Sequence, residues 1–271
     1  MRLALLSDVH GNTIALDAVL ADLDAVGGAD AHLVLGDLVA VGYDPVGALE
    51  RLVKLPAVQF VQGNTDRYTF TDERPYPTAT AVAEDPALIP RLVEVANTFA
   101  WTQGALAVTG WLDWLGGLPL ALRLELPDGS RVFATHVAPG QNDGLGLHPR
   151  LSDAELAALV VGVEADVVCV GHTHWPVDRQ VAGVRVLNPG SVSNPSAMDL
   201  RASYALVEAD ASGYTVAQRR VAYDLAAVIA AVERSRHPSA DFINSHFRGL
   251  RRPWWAGGTD GGEHRPSGER A

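Results

Sequence analysis

This sequence is poor in cysteine, poor in positive charge and free of any long apolar run. Of its 271 residues one is a cysteine, Cys169. A lone thiol closes no intramolecular disulfide, so no disulfide framework holds the chain, and a reducing compartment is expected. Lysines and arginines number 21 against 32 aspartates and glutamates, giving a formal net charge of -11 at pH 7. No basic stripe of the kind that follows a nucleic-acid backbone is visible, so nucleic acid is not an expected partner. The apolar stretch after Arg2 stops at Asp8. That is too short for a signal peptide or a membrane span, and a cytoplasmic location with no membrane partner is expected. What remains is 48% hydrophobic and 20% charged, the balance of an ordinary globular protein. The length suits one large domain or two small ones.

In order along the chain, Leu3 to Leu6 reads as a buried strand, and Leu16, Val19, Leu20, Leu23 and Val26 fall at helical spacing behind an Asn12 cap. His32 to Leu35 is a second strand, Asp44-Pro45 opens a helix to about Lys54, and Ala57 to Val61 is a third strand. This alternation predicts parallel strands with right-handed crossovers, and so lines up the turns that follow them along one sheet edge. Residues 67–104 break the rhythm. Their first part, with Pro75 and Pro77, reads as loop; Asp85-Pro86 then opens a helix to about Thr102. The segment is expected to be a helical insertion, either a cap over the site edge or a pair packed on the flank.

The second half begins with a short helix at Gly110 to Leu115 and a hairpin of 121–126 with 131–135. A Gly-rich loop, 137–150, follows. Ser152-x-x-Glu155 caps a helix to about Val163, and 166–170 is a buried strand. Short strands near Gln180 and 184–187, a hairpin of 204–208 with 214–221, and a helix from Asp224 to about Ser235 complete the body. The expected organisation is one domain over 1–250 and a disordered tail over 251–271. Oligomeric state is left open, a homodimer being one option.

Polar residues cluster where the strands end. Asp8 and His10 stand two apart, and in a straight strand such residues share a face. An oxygen and a nitrogen aimed at one point suit a first-row divalent metal. Further strands run into Gly36-Asp37, Gly63-Asn64, His136 and Gly171-His-Thr-His174. Singly, each has an ordinary structural reading as a turn or a hydrogen-bonded histidine. Jointly, they point to a metal site.

Asp8-Val-His10, Gly36-Asp37, Gly63-Asn64-x-Asp66, His136 and Gly171-His-Thr-His174, in this order, resemble the calcineurin-like metallophosphoesterase superfamily, in particular its small bacterial phosphodiesterase branch. The Asn188-Pro-Gly-Ser191 turn is typical of that branch. The resemblance spans residues 1–221. It implies an α/β fold, a four-layer α-β-β-α sandwich with two stacked mixed sheets and a dinuclear metal site at one end. Position by position it implies one ion held by Asp8, His10, Asp37 and His174. The other would be held by Asp37, Asn64, His136 and His172, with Asp37 as the bridge and Asp37, Asn64 and His136 serving catalysis. Carboxylate, amide and imidazole donors fit Mn, Fe, Zn or Ni better than an all-oxygen Mg site; Mn is the metal expected.

The activity implied is hydrolysis of a small phosphodiester or nucleotide by metal-bound hydroxide, since two ions about 3.5–4 Å apart clamp the phosphoryl oxygens and lower the pKa of a bound water. The competing reading is a catalytically weak relative serving as a protein-interaction scaffold. Full occupancy of the ligand positions favours the enzyme.

Two departures stand out. Thr65 replaces a histidine that, in much of the superfamily, protonates the leaving oxygen; a hydroxyl is too weak an acid for that. Asp66, its usual partner, is then left as a turn residue. The Asp-Arg-Gly of protein phosphatases is absent, Asp37 being followed by Leu-Val-Ala-Val-Gly42. Arg67 is a candidate fork donor to a substrate phosphate, with a plain surface role as its alternative. His148 is a candidate substitute acid.

Overall fold

The computed structural model describes residues 1–196 and 198–253, so the tail expected over 251–271 lies, from Trp254 onward, outside the described residues. Ten strands form two mixed five-stranded sheets among the described residues. The first is built from β1 (Arg2–Leu6), β2 (Ala31–Val34), β3 (Val58–Phe60), β9 (Ala202–Asp210) and β10 (Gly213–Val221), in the order β10-β9-β1-β2-β3. The predicted β-α-β-α-β run is present: β1, β2 and β3 pair in parallel, crossed over by α1 (Thr13–Ala25) and α2 (Pro45–Leu52). The late hairpin β9–β10 joins on the other side, antiparallel to β1.

The second sheet takes β4 (Ala121–Glu125), β5 (Arg131–Thr135), β6 (Val167–Cys169), β7 (Val177–Val181) and β8 (Val184–Asn188), in the order β4-β5-β6-β8-β7. Its three central strands are parallel and both edges antiparallel.

Strand alternation assigns the layers. Leu3 and Leu5 of β1 meet Val132 and Ala134 of β5 and Val167 and Cys169 of β6 between the sheets. Ala4 and Leu6 face the other way, onto Leu16, Val19 and Leu23 of α1 and Leu49 and Leu52 of α2. Val168 and Val186 cover the opposite face with Leu156 and Val160 of α7 (Asp153–Val160). This is the expected four-layer arrangement. A fully buried Leu such as Leu5 contributes on the order of 1.5–3 kcal/mol.

In the 67–104 segment the part with Pro75 and Pro77, residues 71–78, is loop as read, but 67–70 are not: they belong to α3 (Asn64–Phe70), which begins on the Gly63-Asn64 turn itself, and α4 (Ala79–Glu84) follows the loop. The long helix α5 (Ile89–Thr109) runs past Gly104, then α6 (Trp111–Gly116) follows. Gly104 has open space where a side chain would be, so its cost there is one of chain entropy, on the order of 1 kcal/mol. Leu106 of α5 belongs to the helix-side core of the first sheet, while Val95 and Phe99 pack with Tyr68 and Ala40 near the strand ends.

At the C-terminal end α8 (Leu225–Ser235) is where the periodicity placed it. A further helix, α9 (Ala240–Phe247), was not predicted. It is eight residues long and follows His237-Pro238, too short for periodicity to register. Val228, Val232, Ile243 and Phe247 close this pair over Val41 and Tyr43. Among the described residues no helix is long and apolar enough to cross a membrane.

Candidate metal centre

Asp8 and His10 lie beyond Leu6, the last residue of β1, and strand alternation is not what aims them. Both adopt left-handed backbone, φ 55° and 47°, as do Asp37 at 55°, His172 at 68° and His174 at 54°. Such a conformation costs a non-glycine residue of order 1–3 kcal/mol and persists where its surroundings over-determine it. Here they do. Asp8 N–H donates to Gly36 O and His10 N–H to Asp37 O, both at 3.0 Å, and Ser193 N–H donates to Asp8 O at 3.0 Å. The turns after β1 and β2 and the 191–194 turn thus hold one another. Close approach is equally required at Gly63: a Cβ there would sit 2.1 Å from Asp37 Oδ1.

Each of the four imidazoles gives one ring nitrogen to a backbone carbonyl. His10 Nδ1 donates to Ala40 O at 2.7 Å, His136 Nδ1 to Leu35 O at 2.5 Å, and His174 Nδ1 to Asn194 O at 2.7 Å. His172 is reversed: its Nε2 donates to Gly144 O at 2.8 Å. A carbonyl only accepts, so these contacts place the N–H on the outer nitrogen and leave the inner one to supply a lone pair, the arrangement of metal-ligating histidines.

The inner atoms converge. His10 Nε2 and His174 Nε2 are 3.2 Å apart, and His174 Nε2 is 3.2 Å from Asp8 Oδ1. Asn64 Oδ1 lies 3.0 Å from His136 Nε2 and 2.9 Å from His172 Nδ1. Asp37 turns Oδ1 to His136 Nε2 at 3.3 Å and Oδ2 to His10 Nε2 at 3.8 Å. Two overlapping groups have donor atoms close enough to share an ion, Asp8 with His10 and His174, and Asp8 with Asp37 and His136. All seven residues that the sequence singled out as ligands therefore meet in one place.

Burial and proximity set the protonation. Burial pushes the Asp8 carboxyl up, but His174 and His136 beside it outweigh that and hold it below the usual range. Asp37 is likewise raised by burial and lowered further by His136, with a net fall. Burial lowers His136, yet Asp37 beside it carries the imidazole up to about 10. His174 is raised net, against burial, by Asp8; His10 is lowered, chiefly by burial. Lone-pair atoms at about 3 Å repel unless protons or a cation lie between them. Asp8 Oδ1 is buried without a hydrogen-bond partner. Carboxylate, amide and imidazole donors crowded this way, one of them orphaned, fit divalent metal ions.

Of the remaining residues singled out, Asp66 and Thr65 bond to the turns of the site, while Arg67 is held by other groups of the chain. Arg67 pairs within its own chain: Glu73 lies at 2.9 Å and Asp143 at 3.2 Å, and it donates to Asn142 O at 3.1 Å. His148 is half-buried, and burial, opposed by Glu155 beside it, lowers its pKa. Asp66 is no bare turn residue. It is fully buried and accepts Leu38 N–H at 2.8 Å and Gly63 N–H at 2.9 Å, tying the Asp37 turn to the Asn64 turn. Burial, then Asp37, push its pKa up to about 7. Thr65 N–H donates to Asp37 Oδ1 at 2.9 Å.

Sequence reasoning missed the outer partners. Asn194 orients His174 through its carbonyl and ties the 41–43 loop through its amide, which donates to Val41 O at 3.0 Å. Gly144 does the corresponding work for His172. Backbone acceptors carry no residue signature; the Gly-rich composition of 137–150 was the available hint.

Comparison with known proteins agrees with this geometry. The calcineurin-like phosphoesterase superfamily domain model matches residues 1–212. Phosphodiesterase YfcE of Escherichia coli is 28% identical over 219 residues, 78% of this chain and 89% of that protein. The protein MJ0912 of Methanocaldococcus jannaschii is 26% identical over 258 residues, covering 87% and 93%. Among solved structures, a metallophosphoesterase from Sphaerobacter thermophilus superposes with a TM-score of 0.69 at 25% identity, covering 92% of this chain and 100% of that one. The protein PH1004 of Pyrococcus horikoshii shares the fold at a TM-score of 0.75 and 23% identity, covering 97% and 99%. With the match running through β1–β9 and every strand-end motif of the site, this chain belongs to the calcineurin-like phosphoesterase superfamily.

Proposed function

We propose that the protein is a dinuclear metal-dependent phosphodiesterase acting on a small phosphodiester or nucleotide. The observation that carries this reading is the set of four imidazoles, each backed by a carbonyl, whose free nitrogens face Asp8, Asp37 and Asn64. One ion would be held by Asp8, His10, Asp37 and His174, the other by Asp37, Asn64, His136 and His172. Asp37 is the proposed bridge, and its two oxygens facing His136 and His10 support that role. When bound, the ions supply Lewis-acid stabilisation of phosphoryl oxygens and activation of water.

The chain's own residues do the rest. Thr65 N–H and the buried turns fix the Asp37 carboxylate. Asn64 presents an amide oxygen from the first turn of α3, whose start Asp66 clamps. No imidazole stands at position 65 to give a proton to the leaving oxygen. The diester preference is supported by the name of the E. coli relative, a phosphodiesterase. Manganese is the proposed native metal, with Fe, Zn and Ni as alternatives. A small phosphorylated substrate and a cytoplasmic setting, with neither membrane nor nucleic acid as partner, complete the proposal. The complete set of donors favours this over the scaffold reading.

The test is turnover of cyclic and linear phosphodiesters and of phosphomonoesters, each with defined Mn, Fe, Zn or Ni loading. Metal-dependent turnover of diesters above monoesters is expected. A protein that binds no metal and hydrolyses none of them would overturn the reading.

A further inference from the structure

His172 differs from the other three histidines in what holds it. Its partner carbonyl, Gly144, sits in the loop 139–147, where Gly140, Gly144 and Gly146 all take left-handed backbone. The loop also walls the ring: a Cβ at Gly146 would lie 2.8 Å from His172 Cδ2. Side chains fasten that wall to α3. Asp143 Oδ1 accepts Gly144 N–H at 2.7 Å, while its Oδ2 accepts from Arg67 at 3.2 Å and from the Tyr68 hydroxyl. Arg67 also reaches Asn142 O at 3.1 Å and stacks over the Tyr68 ring at 5.0 Å. Three residues earlier on the same helix is Asn64, whose Oδ1 faces His172 Nδ1. One helix therefore carries a ligand and the anchor that orients its neighbouring ligand.

We propose that Asp143 is the positioning residue for His172: held by Arg67 and Tyr68, it fixes the Gly144 carbonyl and thereby turns Nδ1, not Nε2, toward the second ion. The inference rests on the two-ion reading above. Arg67 is then an anchor of the loop, which accounts for its pairing with a carboxylate of its own chain rather than an open approach to substrate. Asp143 touches neither substrate nor ion; it acts through Gly144 and His172.

The test compares wild type with Asp143→Ala, Asp143→Asn and Tyr68→Phe. The Asp143 side chain is 42% exposed, so its removal leaves the core packing in place. Titration with Mn should show one of the two equivalents weakened by about 10–100-fold in Asp143→Ala, the usual cost of losing an outer-sphere partner, with the other unchanged. Asp143→Asn keeps an acceptor for Gly144 N–H and should fall between. Tyr68→Phe should lose least, since Arg67 remains. The metal-free proteins supply an independent arm. Loss of charge-assisted hydrogen bonds should speed amide exchange over 139–147 by about tenfold or more in Asp143→Ala, with no change in α1 or β1.

Equal weakening of both equivalents, or two equivalents bound as in wild type, would overturn the site-selective role. Unchanged loop exchange would overturn the anchor. A wild type that takes up one ion would instead refute the two-ion reading, leaving the exchange arm to decide whether Asp143 holds the loop.

Discussion

His10 and His174 bring their Nε2 atoms to 3.2 Å of each other, while their Nδ1 atoms donate outward to Ala40 O and Asn194 O. Two imidazoles so arranged need a cation or a proton between them. Removal of either should therefore empty one ion position and spare the other. His174→Ala should weaken the first ion by more than the ~10–100-fold typical of an outer-sphere loss. His172→Ala should do the same to the second ion. Titration of each variant with Mn checks the assignment; a variant losing both ions equally would contradict it.

Metal uptake should release protons. His136 is carried to about 10 by Asp37 in the metal-free site, so at pH 7 its inner nitrogen holds a proton that an ion must displace. Apparent affinity should rise about tenfold per pH unit for each proton displaced, between the pH of the experiment and about 10. Stability of the metal-free protein follows the same group. Its folded pKa of about 10 exceeds the ordinary imidazole value of 6.5, so this contribution is fully present below 6.5 and lost as pH climbs to about 10. Calorimetric titration in buffers of different ionisation enthalpy, with Tm of the metal-free protein against pH, measures both. Uptake without proton release at pH 7 would contradict the charge assignment.

Thr65 makes a prediction about leaving groups. Its N–H serves Asp37, and no general acid occupies that position. A phenolate departs unaided, but an alkoxide forgoes the ~10²–10⁴-fold that general acid catalysis contributes. The dependence of kcat/KM on leaving-group pKa should be steep in wild type and shallower in Thr65→His. The flattening should be partial, because Asp66 is already committed to Leu38 N–H and Gly63 N–H and is not free to orient a new imidazole. A shallow wild-type slope would mean that another residue donates the proton.

Asp66 should matter for both stability and metal. Asp66→Asn places an amide NH₂ where one of two buried N–H donors, Leu38 or Gly63, now finds an acceptor. Leaving a buried donor unsatisfied costs about 1–3 kcal/mol, visible as a lower Tm. Both ions should bind more weakly, because the clamp joins the turn of Asp37 to that of Asn64. Unchanged Tm and unchanged metal affinity would show that the two turns hold without it.

How much of this was written in the sequence depends on the range of the signal. Leu3 to Leu6, His32 to Leu35 and 166–170 are apolar runs ending in polar turns, so strand direction, sheet edge and the side chains that meet beyond these strands were legible there. The aim of Asp8 and His10 was not, because it comes from left-handed backbone fixed by Gly36 and Asp37 carbonyls rather than from strand pleat. Helix α3 was hidden by its opening Gly63-Asn64, residues that read as a turn; tertiary contacts through Asp66 decide otherwise. Arg67 illustrates the same limit. Its charge was visible, but its partner Asp143 is far along the chain, in a loop without pattern.

The central claim is that Asp37 joins two ions in one site. Elemental analysis of the active, metal-loaded protein, run beside Asp37→Asn, tests it most directly. Two divalent ions per chain are expected in wild type. In Asp37→Asn both sites should be weakened and turnover reduced by orders of magnitude, as when a shared charged ligand is lost. Full activity with a single ion per chain would contradict the account.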